Sequence, residues 1–130
     1  MSRQRVLLLE MDGVLESVLC DMFADEGMDV SVCTSLAELH TLIKQYPHAV
    51  VVSDSWTAGE YETLSEQHQA EIVALSQMAP VVLTSGAEWA RTIRRGELGP
   101  VEIVEKPYTM DQLVRAVRAA LARASAAPVR

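Results

Sequence analysis

The chain has 130 residues, 49% hydrophobic and 22% charged, the size and balance of one globular domain with its own core. Its 11 basic and 18 acidic residues give a formal net charge of −7, which argues against direct nucleic-acid binding, since that needs a basic stripe. No apolar run approaches the ~18 residues of a membrane span. The apolar stretch after the N-terminal arginines is four residues long and ends in Glu10, so no signal peptide or membrane contact is expected, and the expected setting is cytoplasmic.

Residues 6–9 are a short continuous apolar run, which suits a buried central strand. Gly13 breaks the chain. Val14, Leu15, Val18, Leu19, Met22 and Phe23 then recur at helical spacing up to Gly27, the pattern of an amphipathic helix. A second strand is expected over 29–33. Ser35, with Glu38 three residues on, predicts a capped helix start, and Leu36, Leu39, Leu42 and Ile43 form its apolar face. After Pro47 a third strand covers 49–53 and ends at Asp54. A loop with Trp56 and Gly59 leads to a helix over about 60–77 with an irregular start. The fourth strand is expected over 80–83 and a short helix over 87–95. A fifth strand follows over 101–104, leading into Lys106-Pro107. Thr109 and Gln112 predict a capping box for a last helix marked by Leu113, Val114, Val117 and Leu121. The domain is expected to span 1–124, with 125–130 a flexible tail or linker stub. Cys20 and Cys33 have no zinc spacing and form no disulfide framework; both are expected as reduced, buried thiols.

The order is β-α five times over, which implies an α/β fold with a doubly wound parallel sheet covered on both faces. Sites in such sheets form beyond the C-terminal strand ends. The residues there are Glu10, Met11, Asp12, Asp54, Thr84, Ser85 and Lys106. Asp54 could act as a nucleophile toward a phosphoryl group, and Glu10 and Asp12 could help hold a hard divalent cation. Lys106 and the Thr84 hydroxyl could bind phosphoryl oxygens. Alternatively, Asp54 caps a loop and Lys106 pairs with an acid structurally. Residues 1–105 carry 6 basic and 17 acidic residues, whereas 106–130 carry 5 and 1. That makes the last helix either a docking face or an ordinary solvated surface.

These landmarks resemble the receiver domain of response regulators, the phosphoacceptor module of two-component signalling, over about residues 4–122. The acidic cluster follows the first strand, Asp54 the third, Thr84 the fourth and Lys106-Pro107 the fifth. The resemblance implies a flavodoxin-like sheet of order 2-1-3-4-5. It makes Asp54 the phosphoacceptor, Thr84 and Lys106 the phosphoryl contacts, and the bond before Pro107 cis. It implies Mg²⁺ held by Glu10, Asp12 and Asp54. The pattern also departs from the family. Met11 stands where the metal-binding acid belongs, and a thioether does not replace a carboxylate for Mg²⁺. Ala58 replaces a proline, Ile103 replaces the switch aromatic, and Gly86 stands where longer side chains are common. Magnesium binding is therefore expected to be weak or absent, as in a degenerate receiver that works by protein contact. Its interaction face is expected around Trp89, Arg95, Ile103, Tyr108, Arg115 and Arg118, with Ile103 remaining buried.

The expected partners are a histidine kinase, a phosphotransfer protein or adjacent domains of the same protein, and a homodimer is a further expectation. No turnover is expected beyond self-phosphorylation from a phosphodonor. Two alternatives stand beside this reading. Residues 10–15, Glu10 to Leu15, are similar to the first motif of haloacid-dehalogenase-type phosphatases, with Glu10 in the nucleophile's place; a glutamate there would displace the attacking oxygen by one methylene. The other alternative is a purely structural interaction domain. His40, His48 and His68 have no metal-ligand spacing and are expected on the surface. Trp56 either covers the Asp54 site, marks a contact surface, or packs against its neighbouring loop.

Overall fold

The computed structural model describes residues 3–56, 64–94 and 96–126, the last without the side chain of Ala126. Expectations resting on Ala58, Gly59, Tyr61, Arg95, residues 60–63 and the tail 127–130 lie outside them. Five strands form one sheet: β1 (Arg5–Leu9), β2 (Asp29–Val32), β3 (Val50–Ser53), β4 (Val81–Ser85) and β5 (Val101–Glu105). They lie in the order β2-β1-β3-β4-β5, all pairs parallel. This is the order the resemblance implies.

The sheet has two apolar faces because alternate residues of each strand point to opposite sides. Leu7, Val51, Val81 and Leu83 pack on the side of α2 (Leu36–Gln45), α3 (Glu66–Ser76) and α4 (Trp89–Thr92). Val6, Leu8, Val50, Val52 and Val82 pack with Leu19 and Phe23 of α1 (Gly13–Asp25), and with Leu113 and Val117 of α5 (Met110–Ala126). The apolar stripe of α1 is wider than its buried face: Leu19 and Phe23 are buried, while Val14 and Val18 are exposed. Cys33 is buried as expected, whereas Cys20 is only half-buried; both are free thiols.

The helix boundaries correct several expectations. The α4 helix is a single turn, shorter than the 87–95 span, because Glu88 supplies no side-chain cap and Ile93 is already extended. The β4 strand runs two residues beyond Leu83, since Thr84 and Ser85 pair with Val104 and Glu105. Helix α5 continues to Ala126, through residues expected as tail; alanine and serine there continue the helix without strain. Only half of the Ser35 box forms: Ser35 Oγ accepts the Glu38 amide, but the Glu38 carboxylate takes the Thr34 hydroxyl.

The Thr109 box is reciprocal. Thr109 Oγ1 accepts the Gln112 amide at 3.1 Å, and Gln112 Oε1 accepts the Thr109 amide at 2.7 Å. Two N-terminal donors are thereby satisfied. Thr109→Ala is expected to lower stability by about 1 kcal/mol, read as a lower urea midpoint at unchanged slope. An unchanged midpoint would show that the box contributes nothing.

Candidate functional site

The register brings three functional residues level at one end of the sheet. Leu9 lies beside Ser53, and Ser53 beside Leu83, so the next residues, Glu10, Asp54 and Thr84, sit side by side. The last ladder bonds of this end run from the Asp54 amide to the Leu9 carbonyl and from the Lys106 amide to the Ser85 carbonyl. The second delivers Lys106 from the neighbouring β5. The Lys106-Pro107 bond is cis.

The side chains close this end as a charge network. Lys106 Nζ lies 3.2 Å from Asp54 Oδ2 and 3.4 Å from both oxygens of Glu10. The two acidic side chains are each 2% exposed, and that of Lys106 24%. The Met11 amide donates to both oxygens of Asp54 at 3.1 Å, and the Asp12 amide donates to Glu10 Oε2. Two carboxylates facing one ammonium leave one negative charge unbalanced in a buried place. Burial first, then the hydrogen bond and negative charge of Asp54, push the Glu10 carboxyl up to about 7, against the lowering effect of the Asp12 amide and Lys106. The Glu10 carboxyl therefore keeps its proton to higher pH than an ordinary carboxylate does.

Tyr108 stands close enough to feel the same charges. Burial, then the charges of Glu10 and Asp54, push its phenol up to about 12. Its hydroxyl is buried without a hydrogen-bond partner among the described residues. Thr84 is buried at the level of Asp54. Ser53 and Ser55 share a 2.7 Å hydroxyl bond just behind the acid.

The donor set is a poor fit for Mg²⁺. A hard cation wants several oxygen ligands converging from the protein. The Met11 side chain turns away and is 69% exposed. Asp12 is spent elsewhere: its Oδ1 accepts the Val14 and Leu15 amides as the N-cap of α1. Glu10 and Asp54 both already face Lys106. Among the described residues no group of three His, Cys, Asp or Glu converges on one point.

This arrangement was only partly visible in the sequence. The strand ends pointed to Glu10, Met11, Asp12, Asp54, Thr84, Ser85 and Lys106, and the side chains of three of these seven, Glu10, Asp54 and Lys106, form the network. The Met11 backbone amide, which holds Asp54 in place, was missed, because a backbone donor leaves no mark on residue type. The capping role of Asp12 was missed as well: it stood as a metal-ligand candidate, and the signal against that was its place just before Gly13-Val14-Leu15, where an Asp marks a helix start.

Response regulators among the solved structures match nearly the whole chain. The protein is similar to FixJ from B. japonicum at 20% identity with a TM-score of 0.73, over 97% of this chain and 61% of that one. The response regulator StyR matches at 18% identity and 0.72, over 95% of this chain and 62% of that one. A response regulator from Thermotoga maritima matches at 15% and 0.70, over 93% and 99%. The fold is that of response-regulator receiver domains. The chain spans about three-fifths of the length of the FixJ and StyR chains. No protein-family model and no curated protein matches the sequence.

The receiver geometry also separates the two acids that the phosphatase-like alternative needs together. Glu10 is buried against Lys106, whereas Asp12 caps α1 at the exposed side.

The expected interaction face needs correction. Trp89 is a core residue, 2% exposed, whose indole N–H donates to the Trp56 carbonyl at 3.0 Å. Trp56 is itself buried, donating to Glu71 at 3.3 Å; it packs rather than presents a surface. Tyr108 packs on the α1 and α5 side. Ile103 is half-buried rather than fully enclosed. Arg118 is exposed but paired with Glu26 at 3.1 Å. Arg115 is exposed, with no ion pair among the described residues. No helix among those residues is long and apolar enough to cross a membrane.

Proposed function

We propose that this is a receiver-type signalling domain that acts mainly by protein contact, with a weakened phosphoacceptor at Asp54. The observation that carries the reading is the network at the strand ends. Asp54 is held by Lys106 and the Met11 amide, while the position that should supply a metal ligand points a thioether into solvent. A carboxylate already bonded to an ammonium and an amide is a poorer nucleophile toward phosphorus, and the cation that neutralises a transferring phosphoryl group has too few ligands here. Lys106 and Thr84 would contact a phosphoryl group if one were placed on Asp54. The partners proposed are a histidine kinase, a phosphotransfer protein or neighbouring domains of the same protein.

The test is incubation with acetyl phosphate and Mg²⁺ followed by intact-mass measurement. The expected result is labelling of a small minority of chains, all of it lost in Asp54→Asn. Mg²⁺ binding, followed by tryptophan fluorescence, is expected to be weaker than about 1 mM. Stoichiometric labelling with tight Mg²⁺ binding would mean that Asp12 leaves its helix cap to complete the metal site. Release of free phosphate from small phosphoesters would favour the enzyme reading instead.

A further inference from the structure

Lys106 and the Met11 amide hold the Asp54 carboxylate from the ends of β5 and β1. The backbone that carries Asp54 leaves β3 on the other side, where Trp56 joins the core cluster of α3 and α4. Side chains, not a strand ladder, fix it there. The Ser53 and Ser55 hydroxyls share a 2.7 Å bond, and the Ser55 amide donates to Ser53 Oγ at 3.2 Å. One residue further, the Trp56 carbonyl accepts the Trp89 indole N–H at 3.0 Å, inside the core. A buried carbonyl needs a donor, and a buried indole N–H needs an acceptor. Each is here the other's partner.

Trp89 is placed to act as the fixed point of this pair. It is among the largest fully buried side chains. The segment that leads to it is tied to the end of β4, where Ser85 Oγ accepts the Ala87 amide at 3.0 Å and Ser85 itself pairs with Glu105 of β5. The donor is thus referenced to the sheet and not to the loop. Trp56 makes a second tie. Its own indole N–H donates to Glu71 Oε2 of α3 at 3.3 Å, and the Gln67 amide group donates to Glu71 Oε1 at 3.3 Å. One link therefore runs from α3 through the backbone just after Asp54 to α4.

The lever from this clamp to the acid is short. Peptide planes are stiff, so only the soft dihedrals of a few residues separate the Trp56 carbonyl from the Asp54 Cα. The bond between Ser53 and Ser55 removes part of that freedom. The contacts at the acid leave little slack. The Met11 amide lies 3.1 Å from each Asp54 oxygen, and Lys106 Nζ lies 3.2 Å from Oδ2. A displacement of about 0.5 Å carries such contacts out of hydrogen-bond range.

We propose that Trp89 is a positioning residue for Asp54. By holding the Trp56 carbonyl, its indole N–H sets the place from which the Asp54 carboxylate reaches Lys106 and the Met11 amide. The ring alone would fill the core; the donor is what orders the loop. This deepens the reading of Asp54 as the centre of the site. It concerns the unmodified protein, so labelling by acetyl phosphate, high or low, leaves it untouched.

The experiment uses the full chain, isotope-labelled, and reads folded-state amide signals by nuclear magnetic resonance. The reporter is the Met11 amide, which bonds to Asp54 and lies outside the core cluster of both tryptophans. Trp89→Phe keeps an aromatic ring and loses the donor. It is expected to move the Met11 signal upfield, as a proton does when it leaves a carboxylate. Leu98→Ala, a truncation in the same core cluster, is expected to lower the urea midpoint without moving that signal. Signal position reads the folded state, so lost stability alone does not imitate the effect. The coupling must also run in reverse. Asp54→Asn is expected to move the Trp89 indole N–H signal, one of two in a chain with two tryptophans. A Met11 signal unmoved by Trp89→Phe, or moved equally by Leu98→Ala, overturns the proposal. If Trp89→Phe does not fold, the reverse arm decides, and a Trp89 indole signal unmoved by Asp54→Asn is the overturning result.

Discussion

Lys106→Ala is expected to lower stability by about 3 kcal/mol at pH 8, a large fraction of what holds a domain of this size together. The reason is what the lysine leaves behind. Its ammonium is the cation within reach of both Glu10 and Asp54, at 3.4 and 3.2 Å, and those carboxylates are almost wholly withdrawn from water. Removing one partner of a buried pair costs more than the pair contributes, because the remaining charge keeps its desolvation penalty. Lys106 is itself partly solvated, which screens its attraction and puts the expected loss at the low end of the range for buried pairs. Urea denaturation measures it. Lys106→Met keeps most of the side-chain volume, so an equal loss in that variant would assign the effect to charge rather than packing. An unchanged midpoint in both would mean that the network is solvated and peripheral. The loss should shrink at pH 5, where Glu10 carries its own proton and leaves one carboxylate, not two, without a cation.

The fold was legible because its signals were redundant. Apolar runs at residues 6–9, 49–53 and 80–83 each match a strand length, and helical periodicity fills the intervals between them. Where the signal was single, the reading slipped. The 87–95 segment looked helical from composition, but Glu88 provides no cap and the chain turns extended at Ile93. Val14 and Val18 fit a helical stripe and yet face solvent, because spacing gives an angle and not the depth of what covers it. The site was half legible for a similar reason. Glu10, Asp54, Thr84 and Lys106 stood at strand ends, and parallel topology alone brings strand ends together. What could not be read was the division of labour between neighbouring acids. Glu10 goes inward to Lys106 and Asp12 outward to α1, a choice made by backbone direction over two residues. Trp89 is the two-sided case: a tryptophan in a short helix is more often core than contact, yet it lies near the expected contact face, and the structure decides for the core, where its indole N–H finds a carbonyl at the Asp54 loop.

Glu10→Gln is expected to remove a pH dependence that the wild type carries and to make the protein more stable above neutrality. The Glu10 carboxyl moves from an ordinary 4.5 up to about 7 in the folded chain, chiefly through burial. Between those values the folded state holds a proton that the unfolded state has lost. Stability then falls as pH rises, because it falls wherever the folded state binds more protons. The contribution is fully present below about pH 4.5 and is lost as pH passes through about 7. Converted at 1.36 kcal/mol per pKa unit, the shift corresponds to about 3 kcal/mol across the window. Glutamine keeps the shape and an oxygen for the Asp12 amide, and it adds an N–H that can donate to Asp54. It should therefore reproduce the protonated wild type at every pH. The check is a set of urea midpoints from pH 5 to pH 8.5 for both proteins. The curves should meet at the acid end, with the wild type falling away as pH rises while the variant lacks that descent. Parallel curves across the whole range would mean that Glu10 ionises as it does in the unfolded chain, and that Lys106 balances both acids fully. The outcome bears on function as well. A Glu10 that keeps its proton brings the pocket close to charge balance without a metal ion, whereas a fully ionised one leaves a standing negative charge for a cation to meet.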